Sequence, residues 1–272
     1  MSESGVIAHT PSPRTRDSLA ADLRRLGVEV GATVIVHSSL SALGWVNGGS
    51  VAVVQALMDV VGLTGTLVMP TQTGALSDPA QWRNPPVPEG WWQLIRDTMP
   101  AYDPGVTPTR QMGQIVETFR TWPGVVRSSH PHLSFAAWGR HAEQIVANHS
   151  LDNSLGERSP LARVYDLDGW VLLLGVGHAN NTSFHLAEYR VPSQPVTEKG
   201  APIVQDGRRV WTTYRDVDID AGPFADLGEE FEQQRLTRMG QVGSAHARLF
   251  RQRPAVDFAV RWLILRRGSR PG

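Results

Sequence analysis

Two apolar patterns alternate along the chain: stretches with an apolar residue every three or four positions, and short runs that are apolar throughout. The first predicts helices with one buried face, the second strands buried on both faces. Asp17-Ser18 opens a helix with Leu19, Leu23 and Leu26 on one side, ended by Gly27. Residues 33–37 are a strand; after a turn at 44–50, Ser50 caps a helix with Val54, Leu57, Met58 and Val61 on one face. Further strands are expected at 66–70, 133–138 and 169–174, and helices at 110–122, 141–148 and from Ser159-Pro160. Ile203-Val204 and residues 210–214 flank Asp206-Gly207, which predicts an antiparallel β-hairpin as an edge extension of the sheet. Helices at about 226–235 and 256–265 complete the pattern. This order predicts an α/β fold, a single domain over residues 17–272 with a central mixed β-sheet flanked by helices.

Residues 1–16 are rich in Ser, Pro and Thr without apolar periodicity, and are expected to form a mobile tail. From 71 to 108 the chain is irregular, with many prolines and with Trp82, Trp91 and Trp92. A loop of that length is either a lid or binding loop, or a proline-stiffened surface excursion held by tryptophan packing.

Composition narrows the chemistry. Lys+Arg and Asp+Glu both number 26 in 272 residues, so the charge balance points to neither nucleic acid nor an anionic membrane. No apolar run approaches the roughly 20 residues of a membrane helix, and the N-terminus lacks the apolar stretch of a signal peptide, so a cytoplasmic protein is expected. There is no cysteine, which removes disulfides, thiolate metal sites and a cysteine nucleophile together.

The densest polar cluster follows the strand at 169–174. Gly175 and Gly177 let the backbone turn, His178 stands at the strand's exit, and Asn181, Thr182 or Ser183 can cap a helix carrying His185 and Glu188 on one face. Ligands of open α/β sheets collect at such strand exits. The common motifs fail here: Gly175-Val176-Gly177 lacks the third glycine of a dinucleotide fingerprint, and no P-loop, Gly-x-Ser-x-Gly elbow or His-Glu-x-x-His occurs. His178, His185 and Glu188 could supply two imidazoles and a carboxylate to a metal, but their spacing matches no metal signature, and none is expected.

Four blocks, residues 36–44, 65–70, 129–135 and 175–188 with its Thr182-Ser183-x-His185-x-x-Glu188, occur in the order found in the aminoglycoside 3-N-acetyltransferase family, which the chain resembles over about residues 18–260. The resemblance implies a fold distinct from the large N-acetyltransferase superfamily. It also implies transfer of acetyl from acetyl-CoA to the 3-amine of the 2-deoxystreptamine ring of an aminoglycoside, giving resistance. Imidazole suits the base role in such a transfer, and His178 is the candidate, oriented by Glu188. His37 would orient the thioester or take the proton through water, and Thr182 would offer a hydroxyl. CoA is expected on Ser38, Ser39, Leu40, Ser41, Gly44 and Val46, with Ser128, Ser129 and Phe135 as further contacts. Asp78, Glu117 and Asp218 are the carboxylates available to bind ammonium groups. The partners implied are these two small molecules, for a monomer or homodimer. The alternatives are a family member acetylating another amine, a metal-dependent hydrolase, or a protein that binds CoA or a cationic sugar without turnover.

Overall fold

The computed structural model describes residues 3–268. In chain order the strands are β1 (Thr33–Ser38), β2 (Thr66–Pro70), β3 (Val126–Arg127), β4 (Phe135–Gly139), β5 (Trp170–Leu174), β6 (Val196–Gln205), β7 (Arg208–Val217), β8 (Arg238–Val242) and β9 (Ala245–Arg251). The helices are α1 (Glu3–Ala8), α2 (Arg16–Leu26), α3 (Gly49–Val61), α4 (Trp92–Thr98), α5 (Gln114–Arg120), α6 (Ala142–Val146), α7 (Pro160–Asp166), α8 (Ser183–Arg190), α9 (Phe224–Glu232) and α10 (Gln252–Gly268).

A seven-stranded mixed sheet runs in the order β3-β4-β2-β1-β5-β9-β8. The run at 170–174 is apolar throughout because β5 is buried on both faces. Leu172 and Leu174 enter one core with Val34 and Val36, while Val171 and Leu173 enter the other with Ile35. α2, α3 and α5 cover the first face, and α6 to α10 the second. β1 is parallel to both β2 and β5, so Ser38, Pro70 and Leu174 end their strands along one edge of the sheet. That shared edge is where the chain can assemble a site from three strand exits.

Two expectations about organisation are corrected. The hairpin forms, with Asp206-Gly207 as its turn, but β6 and β7 make their own two-stranded sheet. The edge of the main sheet is taken by β8, through a β8–β9 hairpin that the sequence pattern did not reveal. Arginines interrupt the apolar alternation there; two of them, Arg238 and Arg251, stack their guanidinium groups on Trp170 at 4.7 and 4.1 Å. The β6–β7 ribbon is tied to the body through buried Asp216, which accepts from Tyr189 at 2.8 Å and from the Ser154 hydroxyl. Ser154 in turn meets His130 Nε2 at 2.8 Å.

The second correction concerns the N-terminus. In the segment expected as a mobile tail, residues 3–8 are helical, Trp45 N–H donates to Thr10 Oγ1 at 2.8 Å, and Arg14 exchanges backbone hydrogen bonds with Trp45 and Asn47. α2 begins two to three residues earlier than the Asp17-Ser18 cap implied, in a reciprocal capping box between Thr15 and Ser18. Residues 1–2 and 269–272 of the expected ranges lie outside the described residues.

Buried histidines make this fold acid-sensitive. Burial lowers His37 to about 3 and His149 to about 4, and holds His130 well below its usual value. Each therefore stays neutral when folded but takes a proton near pH 6.5 when unfolded. Stability from this source is complete above pH 6.5 and is lost as pH drops below it. At pH 5 the loss is about 2 kcal/mol each for His37 and His149, and His130 acts in the same direction. Denaturant unfolding at pH 7.5 and pH 5 reads it directly, and equal stabilities at the two values would contradict this burial.

Candidate active site

The strand exits surround two adjoining cavities. The larger, of about 630 Å³, is lined by Ser38, Ser39, Leu40 and Ser41 after β1, by the turn residues Gly44, Trp45 and Val46, and by residues 111–115. The smaller, of about 260 Å³, is lined by His37 and Ser38 of β1, Pro70 at the end of β2 and Gln72 beyond it, and Asn180, Asn181, Thr182 and His185 after β5. Ser38, Gln111 and Met112 line both, so the cavities share a wall. The larger is of the size that holds an organic ligand.

Gly175 makes this arrangement possible. Its φ of +73° suits glycine, and a Cβ there would lie 2.5 Å from the Cβ of Ala42, the neighbour of the cavity-lining Ser41. Beyond it the chain makes one turn of 3-10 helix over His178–Asn180 and enters α8. Thr182 stands at the N-cap with no side-chain hydrogen bond to the helix, so capping does not account for it; Asn181 Oδ1 accepts from Ser183 N instead.

The structure corrects the pairing expected at this site. Glu188 is buried and accepts from His185 Nδ1 at 2.5 Å, and from the Asp220 backbone N–H through its other oxygen at 2.9 Å. A carboxylate oxygen only accepts, so the proton sits on Nδ1 and the lone pair of Nε2 is left on the other side of the ring. His185 lines the smaller cavity, with its ring 4.7 Å from that of Phe224. Its environment is that of a base held in one tautomer by a fixed carboxylate.

His178 faces elsewhere. Its Nε2 donates to Glu232 at 2.9 Å, its ring packs against Phe184 and Phe250, and Nδ1 is buried with no partner. α9 presses on it so closely that a Cβ at Gly228 would sit 2.0 Å from the imidazole Cγ. His178 lines neither cavity, and its distance in sequence from Glu232 hid this contact from local spacing. His37 does line the smaller cavity; its Nε2 is buried without a partner, and burial, reinforced by His185, keeps it neutral.

Several other expected contacts are redistributed. Ser128 and Phe135 belong to the body of the fold: Phe135 is fully buried in the second core, and Ser128 Oγ accepts from Phe135 N at 2.9 Å and meets His149 Nδ1. Ser129 borders a separate cavity beside Tyr102 and His149. Asp78 caps a 3-10 turn and is held by Arg96 at 2.8 Å. Hydrogen bonds from Arg120 and Thr109 hold Glu117 down to about 2. Asp218 is exposed, with its backbone N–H on Pro195, and like the other two it lines neither cavity. Sequence reading missed Gln72, Gln111, Met112, Asn180 and Asn181. For the two asparagines the signal was there, in the polar run next to His178; for Gln72, Gln111 and Met112 no local signal existed.

A family model described as aminoglycoside 3-N-acetyltransferase matches residues 35–264. The chain belongs to the aminoglycoside 3-N-acetyltransferase family. It is 52% identical to the SPbeta prophage-derived aminoglycoside N(3')-acetyltransferase-like protein YokD of Bacillus subtilis, over 95% of this chain and 96% of that protein. The crystal structure of YokD superposes with a TM-score of 0.97, covering 98% of this chain and all of that one, at 50% identity. A structure of AAC-IIIb binary with CoASH has a TM-score of 0.86 at 31% identity, covering 96% of this chain and 100% of that one. AAC-VIa bound to sisomicin has a TM-score of 0.84 at 32% identity, covering 94% and 99%. The family's fold is the one described above. No helix among the described residues is long and apolar enough to cross a membrane.

Proposed function

We propose that the chain transfers acetyl from acetyl-CoA to the 3-amine of the 2-deoxystreptamine ring of an aminoglycoside, by direct attack, with His185 as general base. The observation that carries this reading is the shared wall of Ser38, Gln111 and Met112, which lets a thioester held in the larger cavity meet an amine held beside His185. The solved relatives named for CoASH and for sisomicin support the same two ligands. In the reaction the amine lone pair attacks the thioester carbonyl, the new C–N bond forms, and the C–S bond breaks. The proton shed by the nitrogen passes to His185 Nε2 and from there to the leaving thiolate, while Glu188 stabilises the imidazolium. His37, neutral at these pH values, serves as a hydrogen-bonding group toward the thioester and adds no positive charge beside His185. Thr182 offers its hydroxyl in the same cavity.

A second reading keeps the donor and changes the acceptor. The smaller cavity is lined by amides, hydroxyls, imidazoles and apolar carbons, which recognise an amine without counter-charge. Thiol release from acetyl-CoA, followed with 2-deoxystreptamine aminoglycosides and with unrelated amines, separates the two. Release dependent on the aminoglycoside, with acetyl on N3 by NMR, is the expected result; release only with other amines would replace the acceptor, and none with any amine would overturn the transfer.

A further inference from the structure

The N-terminal helix α1 buries none of its side chains, so core packing does not explain where it lies. Polar pins do. Thr10 Oγ1 accepts from Trp45 N–H at 2.8 Å and donates to Val6 O, and Arg14 is laddered to Trp45 and Asn47. Gly44 has φ +85°, and a Cβ there would come within 3.0 Å of Thr10 Oγ1, so the close approach of the two segments depends on glycine. The turn that holds α1 is the same turn that lines the larger cavity, and from α1 itself Glu3 and Val6 line that cavity. An element that contributes nothing to the core is thus held over a ligand groove, with one carboxylate toward it.

We infer that α1 is a wall of the cofactor groove, in which Val6 supplies apolar contact and Glu3 opposes an anionic ligand, setting an upper limit on affinity for CoA. This rests on the reading of the larger cavity as the CoA groove. Glu3 is the one acidic side chain lining that groove among the described residues, against a ligand with several phosphate charges. Reversing its sign converts repulsion to attraction, an effect that weakens as salt screens it.

Full-length variants test the inference by calorimetry with CoA and, separately, with pantetheine, which carries no phosphate. Glu3→Lys is expected to tighten CoA about three- to tenfold at low ionic strength, less at high salt, and to leave pantetheine unchanged. Val6→Trp, which fills the groove, is expected to weaken both ligands and raise the KM for acetyl-CoA without changing that for the acceptor. Ile7→Trp, on an exposed position of the same helix outside the groove lining, serves as the control and is expected to bind both like wild type. CoA affinity unchanged in both Glu3→Lys and Val6→Trp would overturn the inference while leaving the groove assignment intact. Wild-type protein that binds no CoA would instead overturn the groove assignment and the wall with it.

Discussion

His185→Ala lowers kcat/KM for acetyl transfer by about 10²–10⁴-fold, the range associated with losing a positioned general base. At the middle of that range the change corresponds to roughly 4 kcal/mol of transition-state stabilisation. The fold should survive, because His185 sits at a cavity wall and its main polar partner, Glu188, keeps its bond to the Asp220 backbone. Glu188→Gln is expected to lower turnover as well, by replacing a carboxylate that stabilises imidazolium with a neutral amide. His178→Ala behaves differently: it empties a packed site under Gly228 and leaves Glu232 with Arg248, so its principal loss is in stability. Steady-state kinetics and denaturant unfolding on the same three variants distinguish the roles. A His178 variant of normal stability with negligible turnover, beside an active His185 variant, would reverse the assignment.

The largest expected stability effect lies away from the cavities. Asp216→Ala removes the acceptor for Tyr189 OH, for the Ser154 hydroxyl and backbone N–H, and for Lys199 at 3.7 Å, all at a buried position. Breaking a buried charge network by deleting one member costs about 3–5 kcal/mol, here because the Tyr189 hydroxyl and the Ser154 backbone N–H lose their acceptor. Asp216→Asn keeps an acceptor oxygen and should cost less. Because Asp216 is one of the points where the β6–β7 ribbon joins the body, and a buried one, the alanine variant is also expected to lose hydrogen-exchange protection in that ribbon first. A cost below about 1 kcal/mol would show that the network contributes little.

How much of this was legible in the sequence follows from which forces act locally. β5 was legible because a strand buried on both faces needs no polar alternation, and Gly169 to Gly175 bracket it. The hairpin turn at Asp206-Gly207 was legible because positive φ favours those residues; where the ribbon would attach was not, since Asp216 finds Ser154 across 62 residues. Ser38, Ser39, Leu40, Ser41, Gly44 and Val46 were singled out through the family likeness, and the structure gathers them around one cavity. The His185/Glu188 pair was visible as two residues three apart on a helical face, yet the choice of histidine depended on Glu232, which comes 54 residues after His178 and closes on it only when α9 packs. The acidic residues misled for a related reason. A carboxylate's sequence position does not reveal whether an arginine has already neutralised it, as Arg96 does for Asp78 and Arg120 for Glu117.

In the proposed reaction acetyl passes straight from the thioester to an amine beside His185, with no acetylated protein between. Intact-mass measurement of the protein after mixing with acetyl-CoA alone, and again after adding an aminoglycoside, tests it most directly. Direct transfer predicts protein of unchanged mass in both samples and one acetyl increment on the sugar in the second. An acetyl increment on the protein that forms with acetyl-CoA alone and is chased onto the sugar would contradict it.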